Sequence, residues 1–245
     1  MQEHLQEGTP MAHVYDRIRT MQLIATAVAR GRIHYVSGHV RMEKAESLAA
    51  KLMTKYGANA DPSRQRAQLR AGQARSTLIM LANPAELQFA WWLLVTDGGG
   101  DVTEQEMLVD ATRRDTKIRV ADFELTRMPA KNREDKARWT WRLPVSRHHE
   151  LSDHAAALAT HPANDQAQAL VETMKAWPGF RGIAEQRREI WRAMLAARAH
   201  AGREAALEIP VLTPWPGRLE MRGHGTPLAI AVERMRQQVR IGDTQ

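Results

Sequence analysis

The chain has 245 residues, 43% of them hydrophobic, with 35 Lys and Arg against 28 acids, a formal charge of +7 and no cysteine. The missing thiols exclude a disulfide framework and thiolate metal sites; no run approaches the 18 or so apolar residues that would span a bilayer; and Met1 to Asp16 has no apolar signal core. An isoelectric point of about 10.1 lies above the value near 9 that marks a footprint for polyanions, so the expectation is a cytoplasmic protein that meets nucleic acid and no membrane.

In chain order, Met21 to Val28 and Ile33 to Val40 are β-rich and predict one bent strand or two short ones. Met42, Ala45, Leu48, Ala49, Leu52 and Met53 then repeat at helical spacing, and Gly57, Asn59 and Pro62 close that helix. Asp61 to Arg75 is expected to be a polar, basic loop. Ser76 to Leu81 and Phe89 to Thr96 predict an antiparallel pair of strands broken at Asn83-Pro84. After the break at Asp97 to Gly100, Thr103 is expected to cap a helix with Met107, Leu108 and Ala111 inward and Arg113 and Arg114 at its end. Lys117 to Thr126 and Arg138 to Leu143 follow as strands. This order, β-α-β-β-α-β with one extra strand, is the split βαβ arrangement of ferredoxin-like domains.

Past Pro144 the periodicity is helical, over Ser146 to Thr160, Asn164 to Ala176 and Gly182 to Gly202, with a last helix from Thr226 to Val239 that has Thr226 as cap and Pro227 at its first position. The fold class expected is therefore α+β, with a ferredoxin-like basic domain over 1-144 and an arginine-rich helical domain with a C-terminal helix over 145-245.

The strongest functional signal is in the third of those helices. Arg181, Arg188, Arg192 and Arg203 project along one stripe, Arg187 and Arg198 add to the charge, and Ile183, Ile190 and Met194 fall opposite. Guanidinium forks match phosphate oxygens and desolvate readily, so these six are candidate RNA contacts, with Arg30, Lys44, Arg64, Arg66 and Arg70 from the first half. The densest group of potential metal ligands, His148, His149, Glu150, Asp153 and His154, lacks the second His of the zinc-protease helix. It predicts a polar helix start and no metal site, and no cofactor motif is present. Gly223-His224-Gly225 leads into a helix N-terminus, where amides can hold an anion. Trp91, Trp92, Trp139 and Trp141 are expected in strands, at least three of them in the core.

For chemistry the best candidates are Arg32, His34, His39 and Arg41, with Arg240 from the C-terminal helix. An imidazole near neutrality can take the proton of a 2′-hydroxyl while cations stabilise the phosphoryl oxygens. The products would be a 2′,3′-cyclic phosphate and a 5′-hydroxyl, with no metal required.

A basic ferredoxin-like order followed by an arginine-rich helical extension resembles the RAMP-superfamily endonucleases that process CRISPR precursor RNA, most closely the version in plasmid-borne type IV systems. The resemblance spans Met21 to about Arg203 and lies in the order of elements. It implies binding of a crRNA repeat hairpin, cleavage at its 3′ base and retention as a subunit of a CRISPR ribonucleoprotein complex. It further implies that the Arg181 to Arg203 helix grips the hairpin and that His34 or His39 lies near the scissile bond. Gly223-His224-Gly225 is only a short approximation to the family's glycine-rich loop. Alternatives of other classes are a non-enzymatic plasmid-type regulator or replication accessory protein, and a basic assembly subunit that meets an acidic protein.

Overall fold

The computed structural model describes residues 11–130, 137–162, 164–203, 207–209 and 225–242. The protein is mixed α/β. In chain order the elements are β1 (His13–Tyr15), α1 (Arg17–Ala29), β2 (His34–Arg41), α2 (Met42–Tyr56), α3 (Pro62–Arg70), β3 (Ser76–Asn83), β4 (Gln88–Val95), α4 (Asp101–Gln105) and β5 (Val109–Asp110). They are followed by β6 (Arg119–Val120), β7 (Phe123–Met128), β8 (Arg138–Arg142), α5 (Val145–Thr160), α6 (Asp165–Lys175), α7 (Arg181–His200), β9 (Thr226–Pro227) and α8 (Leu228–Gly242). Among the described residues no helix is long and apolar enough to cross a membrane.

The chain forms two compact units. One takes in the described residues of Met1–Thr116 and Met221–Gln245, the other those of Lys117–Glu220. The hairpin of β7 and β8 therefore groups with the helices that follow it, and α8 returns to the first unit, where the sequence suggested one border at 144.

The first unit is built on a six-stranded mixed sheet ordered β5-β2-β4-β3-β1-β9. β4 pairs antiparallel with β2, Val36 opposite Leu93, and with β3, Met80 opposite Trp91. β1 runs parallel to β3 and antiparallel to β9, and β5 is antiparallel to the start of β2. Alternation sends Phe89, Leu93 and Val95 to one face, where they join Leu78, Met80 and the apolar stripes of α2 and α8 in one core. Trp92 and Leu94, both buried, point to the opposite face, where α1 lies against β3 and β4.

Four expectations are corrected. Met21–Val28 is helical: Met21, Ile24 and Val28 are buried at helical spacing, and the Asp16 carboxylate caps α1 by accepting the Arg19 N–H at 2.8 Å. The β-branched residues of this run suit a strand, but its 3.6-residue period prevails. Asp61–Arg75 contains α3, which buries none of its residues and starts because Asp61 accepts the Ser63 and Arg64 N–H groups with Pro62 in the first turn. The helix expected from Thr103 ends at Gln105, Met107 is exposed rather than inward, and the chain enters β5. Thr226 and Pro227 pair with β1 instead of opening the last helix, which starts at Leu228.

The second unit joins the antiparallel sheet β6-β7-β8 to α5, α6 and α7. Trp141 and Leu125 are fully buried in that sheet. α7 docks on β8 at Gly182, where an added Cβ would stand 2.6 Å from the Trp141 carbonyl oxygen. Gln186 continues the seam: its amide accepts the Leu143 N–H at 2.7 Å and donates to the Leu143 carbonyl at 3.1 Å. A second core, with Ala155 and Ala159, Val171 and Met174, and Ile190, Trp191 and Met194, fills the space among the three helices. Of the four strand tryptophans Trp92 and Trp141 are buried, Trp91 packs half-buried on the first core over Gly38, and Trp139 is half-exposed.

Tyr56 fastens the end of α2 to the segment after α4 by donating its hydroxyl to Glu106 at 2.5 Å. Burial first, then that hydrogen bond and the charges of Glu106 and Asp101, push its pKa up to about 12. A phenol raised above its unfolded value near 10 stabilises the fold fully below pH 10, and the contribution fades as pH rises through 12. Alkaline titration of phenolate absorbance should show one of the three tyrosines ionising near pH 12 in the folded protein, and Tyr56→Phe should remove that step. Because burial raises Tyr15 as well, the assignment is refuted if Tyr56→Phe leaves the amplitude of the step near pH 12 unchanged.

Candidate nucleic-acid interface

β2 does not gather its candidates around one phosphate. At about 3.3 Å per residue, the seven steps from His34 to Arg41 span roughly 23 Å, so the two stand at opposite ends of the strand. His34 shares a face with Val36 and Val40, which pack on the first core, whereas His39 and Arg41 project exposed from the other. His34 is also surrounded by acid. Its Nε2 lies 2.8 Å from Asp97 Oδ1, and it stands opposite Asp110 across β2 and β5. Asp110 in turn is held below the usual carboxylate range by hydrogen bonds from Thr112, then by the charges of His34 and Arg113. Arg41 does come near exposed Lys44 in sequence and space, because α2 starts at Met42. Arg240 is exposed near the end of α8.

Arg32 leaves this strand altogether. It is 9% exposed and lines a cavity of about 350 Å³ with Arg30, His13, Tyr15, Asn59 and Gln65. Its Nη2 donates to Gln65 Oε1 at 3.0 Å, while Nε is buried with no acceptor among the described residues. Burial, followed by the charges of Arg75 and Arg30, lowers its pKa. Of the candidates named from sequence, Arg30 and Arg32 are thus brought together, and His34, His39 and Arg41 are not brought to them. Sequence reasoning missed His13, Tyr15, Asn59 and Gln65. The only local signal was the His-Val-Tyr alternation of a three-residue strand, too short to stand out.

The arginines of the helical segment divide by task. Arg187 donates from Nη1 to the Met174 carbonyl at 3.0 Å and lies 5.4 Å over the Trp191 ring. Arg198 donates to the Ala159 carbonyl at 3.2 Å and to Asn164 Oδ1 at 2.5 Å, and Arg203 Nε donates to the Thr160 carbonyl at 3.0 Å. These carbonyls close α6 and α5, where the last turn of a helix leaves acceptors without partners and carries partial negative charge. Arg187 and Arg198 are 8% and 4% exposed. Both therefore act as supports of helix ends, and Arg203, which is exposed, adds a donor to the same end of α5. Arg181 pairs with Glu185 at 3.2 Å. Arg188 and Arg192 remain on the stripe, and among the described residues no carboxylate pairs with them.

In the first unit α3 presents Arg64, Arg66 and Arg70, all exposed, on a helix whose one acid is its capping Asp61. Gly225 packs flat on Tyr15 and His13, where a Cβ would come within 2.5 Å of the tyrosine ring; Gly223 and His224 lie outside the described residues. His148 stands 3.5 Å from Glu189, with burial holding its pKa down. No group of three metal-ligating side chains converges among the described residues. Comparison with family models, curated proteins and solved structures finds no match for this chain.

Arg198→Ala should lower unfolding stability by about 1.5 to 3 kcal/mol, the range for hydrogen bonds to a charged group, because it strips two helix ends of a buried donor. Arg192→Ala should stay within about 0.5 kcal/mol, as exposed substitutions do. Urea unfolding of both variants checks the division, and equal stabilities would contradict it.

Proposed function

We propose that this protein binds RNA through arginines without acid partners, with half-buried Arg188 and exposed Arg192 on α7 as principal contacts in one unit and exposed Arg64, Arg66 and Arg70 on α3 in the other. One observation carries the reading: among the described residues these guanidinium groups are left without acid partners, in a chain of formal charge +7. An exposed arginine face that no carboxylate neutralises is the electrostatic counterpart of a phosphate backbone. A ferredoxin-like core within the first unit, made of β2, α2, β3, β4, α4 and β5, is part of the proposal. It is supported by β4 running antiparallel between β2 and β3 and by β5 flanking β2. The resemblance drawn from the sequence makes the RNA a CRISPR repeat hairpin and the protein a cytoplasmic, arginine-rich subunit of a guide-RNA complex.

Cleavage of the bound hairpin is a second reading, and His34 favours it. Its ring is oriented by Asp97 as a general base requires, although the cations expected to assist it lie elsewhere.

Fluorescence anisotropy with a hairpin RNA over a salt series tests binding. Arg188→Ala/Arg192→Ala should weaken it and flatten the slope of log K against log salt by about 0.7 to 0.9 for each phosphate no longer neutralised. Unchanged affinity and slope would sink the reading. The same hairpin incubated in EDTA tests cleavage: His34→Ala should slow single-turnover cutting by roughly 10²- to 10⁴-fold with affinity retained. Tight binding without any cutting would leave the protein a non-enzymatic binder.

A further inference from the structure

The cavity at the C-terminal end of α1 contains a charge that the fold does not compensate. Arg32 is nine-tenths buried, yet among the described residues its acceptor is the neutral amide of Gln65, and its Nε has none. No carboxylate is among the described residues that line the cavity, and the neighbouring charges are those of Arg30 and Arg75. Arg187, equally buried, also has an Nε without a partner among the described residues, but it and Arg198 reach backbone carbonyls at helix ends, whereas Arg32 faces an open cavity. A buried guanidinium among like charges, with one neutral acceptor, would be stabilised by an anion entering the cavity.

We propose that this cavity is a binding site for the phosphate of a nucleotide unit, held by Arg32 and Arg30. Charge and size select the ligand. Two or more guanidinium groups call for a dianion rather than a lone carboxylate, and a fork of parallel N–H donors suits phosphate oxygens. A volume of about 350 Å³ falls at the lower end of small-ligand sites and leaves room beyond the phosphate. His13 and Tyr15 supply a ring surface for a base, their centroids 6.4 Å apart and their planes 29° from parallel. His13 Nδ1 lies 3.0 Å from the Met11 carbonyl, which only accepts, so Nδ1 is the donor in that contact. Gly225 backs the pair, since any side chain there would strike the tyrosine ring and the histidine Cβ. The phosphate belongs either to a free mononucleotide or to the phosphorylated end of an RNA strand. The site does not depend on hairpin binding by α7.

Titration calorimetry and thermal shifts of the full chain test it, with adenosine 5′-monophosphate, inorganic phosphate and adenosine as probes. The monophosphate and inorganic phosphate should bind and raise Tm, and adenosine should bind more weakly than the monophosphate by about tenfold or more, the share of a charge-assisted hydrogen bond. Arg32→Met should abolish the ligand-induced rise while leaving the unliganded Tm unchanged or higher, a result that a structural arginine would not give. Arg30→Ala, at an exposed position, should weaken the monophosphate about tenfold and serves if Arg32→Met does not fold. A short RNA that displaces the monophosphate better with a 5′-phosphate than with a 5′-hydroxyl identifies the strand end as the source; equal displacement identifies the free nucleotide. No binding of either phosphate compound at millimolar concentration, or unchanged affinity in the variant used, overturns the proposal.

Discussion

β4 is the constraint on which the first unit depends. Phe89, Leu93, Leu94 and Val95 are all fully buried, so the strand must be covered on both faces and paired on both edges. β2 and β3 supply the edges over its whole length. The two faces demand helices, α2 and α8 on one side and α1 on the other. Burying a strand of this kind removes several large apolar side chains from water at about 25 cal/mol per Å², and no neighbouring element can leave without exposing one of those faces. α1 is therefore helical although its β-branched residues favour a strand. Covering Trp92 and Leu94 outweighs an intrinsic preference that amounts to a few tenths of a kcal/mol per residue.

In the second unit arginine takes the place that glycine and lysine more often hold at helix ends. Arg187, Arg198 and Arg203 each reach a carbonyl that closes α5 or α6. A long planar donor on α7 can thereby fasten two other helices whose own sequences provide no such cap. Trp191 adds a ring face under Arg187, so Nη1 meets carbonyls while the π-system lies against the guanidinium, and Nε is left without a hydrogen-bond partner among the described residues. The apolar stripe of α7 sets its packing, and the arginines beside the stripe fix where its neighbours stop.

Much of this was legible in the residues. The period of Met42 to Met53 gives α2, the break at Asn83-Pro84 separates β3 from β4, and the three central helices of the second half fall within one or two residues of their expected limits. Asp61-Pro62 is a helix start that can be recognised from caps alone, but α3 has no apolar stripe, and a search by periodicity passes over it. The candidate site was less legible. Helical spacing places Arg188 and Arg192 on a stripe, yet nothing local separates them from Arg187 and Arg198, because the deciding carbonyls belong to other helices. The link of Arg32 to Gln65 and His13 likewise joins segments far apart in sequence.

Carbonyls satisfy a guanidinium without neutralising it. Arg187, Arg198 and Arg203 therefore still contribute to the formal charge of +7 and to the positive field around the protein, although each donates to a carbonyl. On the proposed reading, replacing an arginine would slow association with RNA for two separate reasons, an absent phosphate partner or a weaker field. The field component is screened over a Debye length of about 10 Å at 0.1 M salt, whereas a direct phosphate contact releases a counterion and leaves its mark on the salt slope of the equilibrium. Arginine in this protein thus acts at two ranges, closing helix ends through short hydrogen bonds and presenting positive charge well beyond them. Lysine could supply the second of these but, lacking the planar fork, not the first in the same geometry.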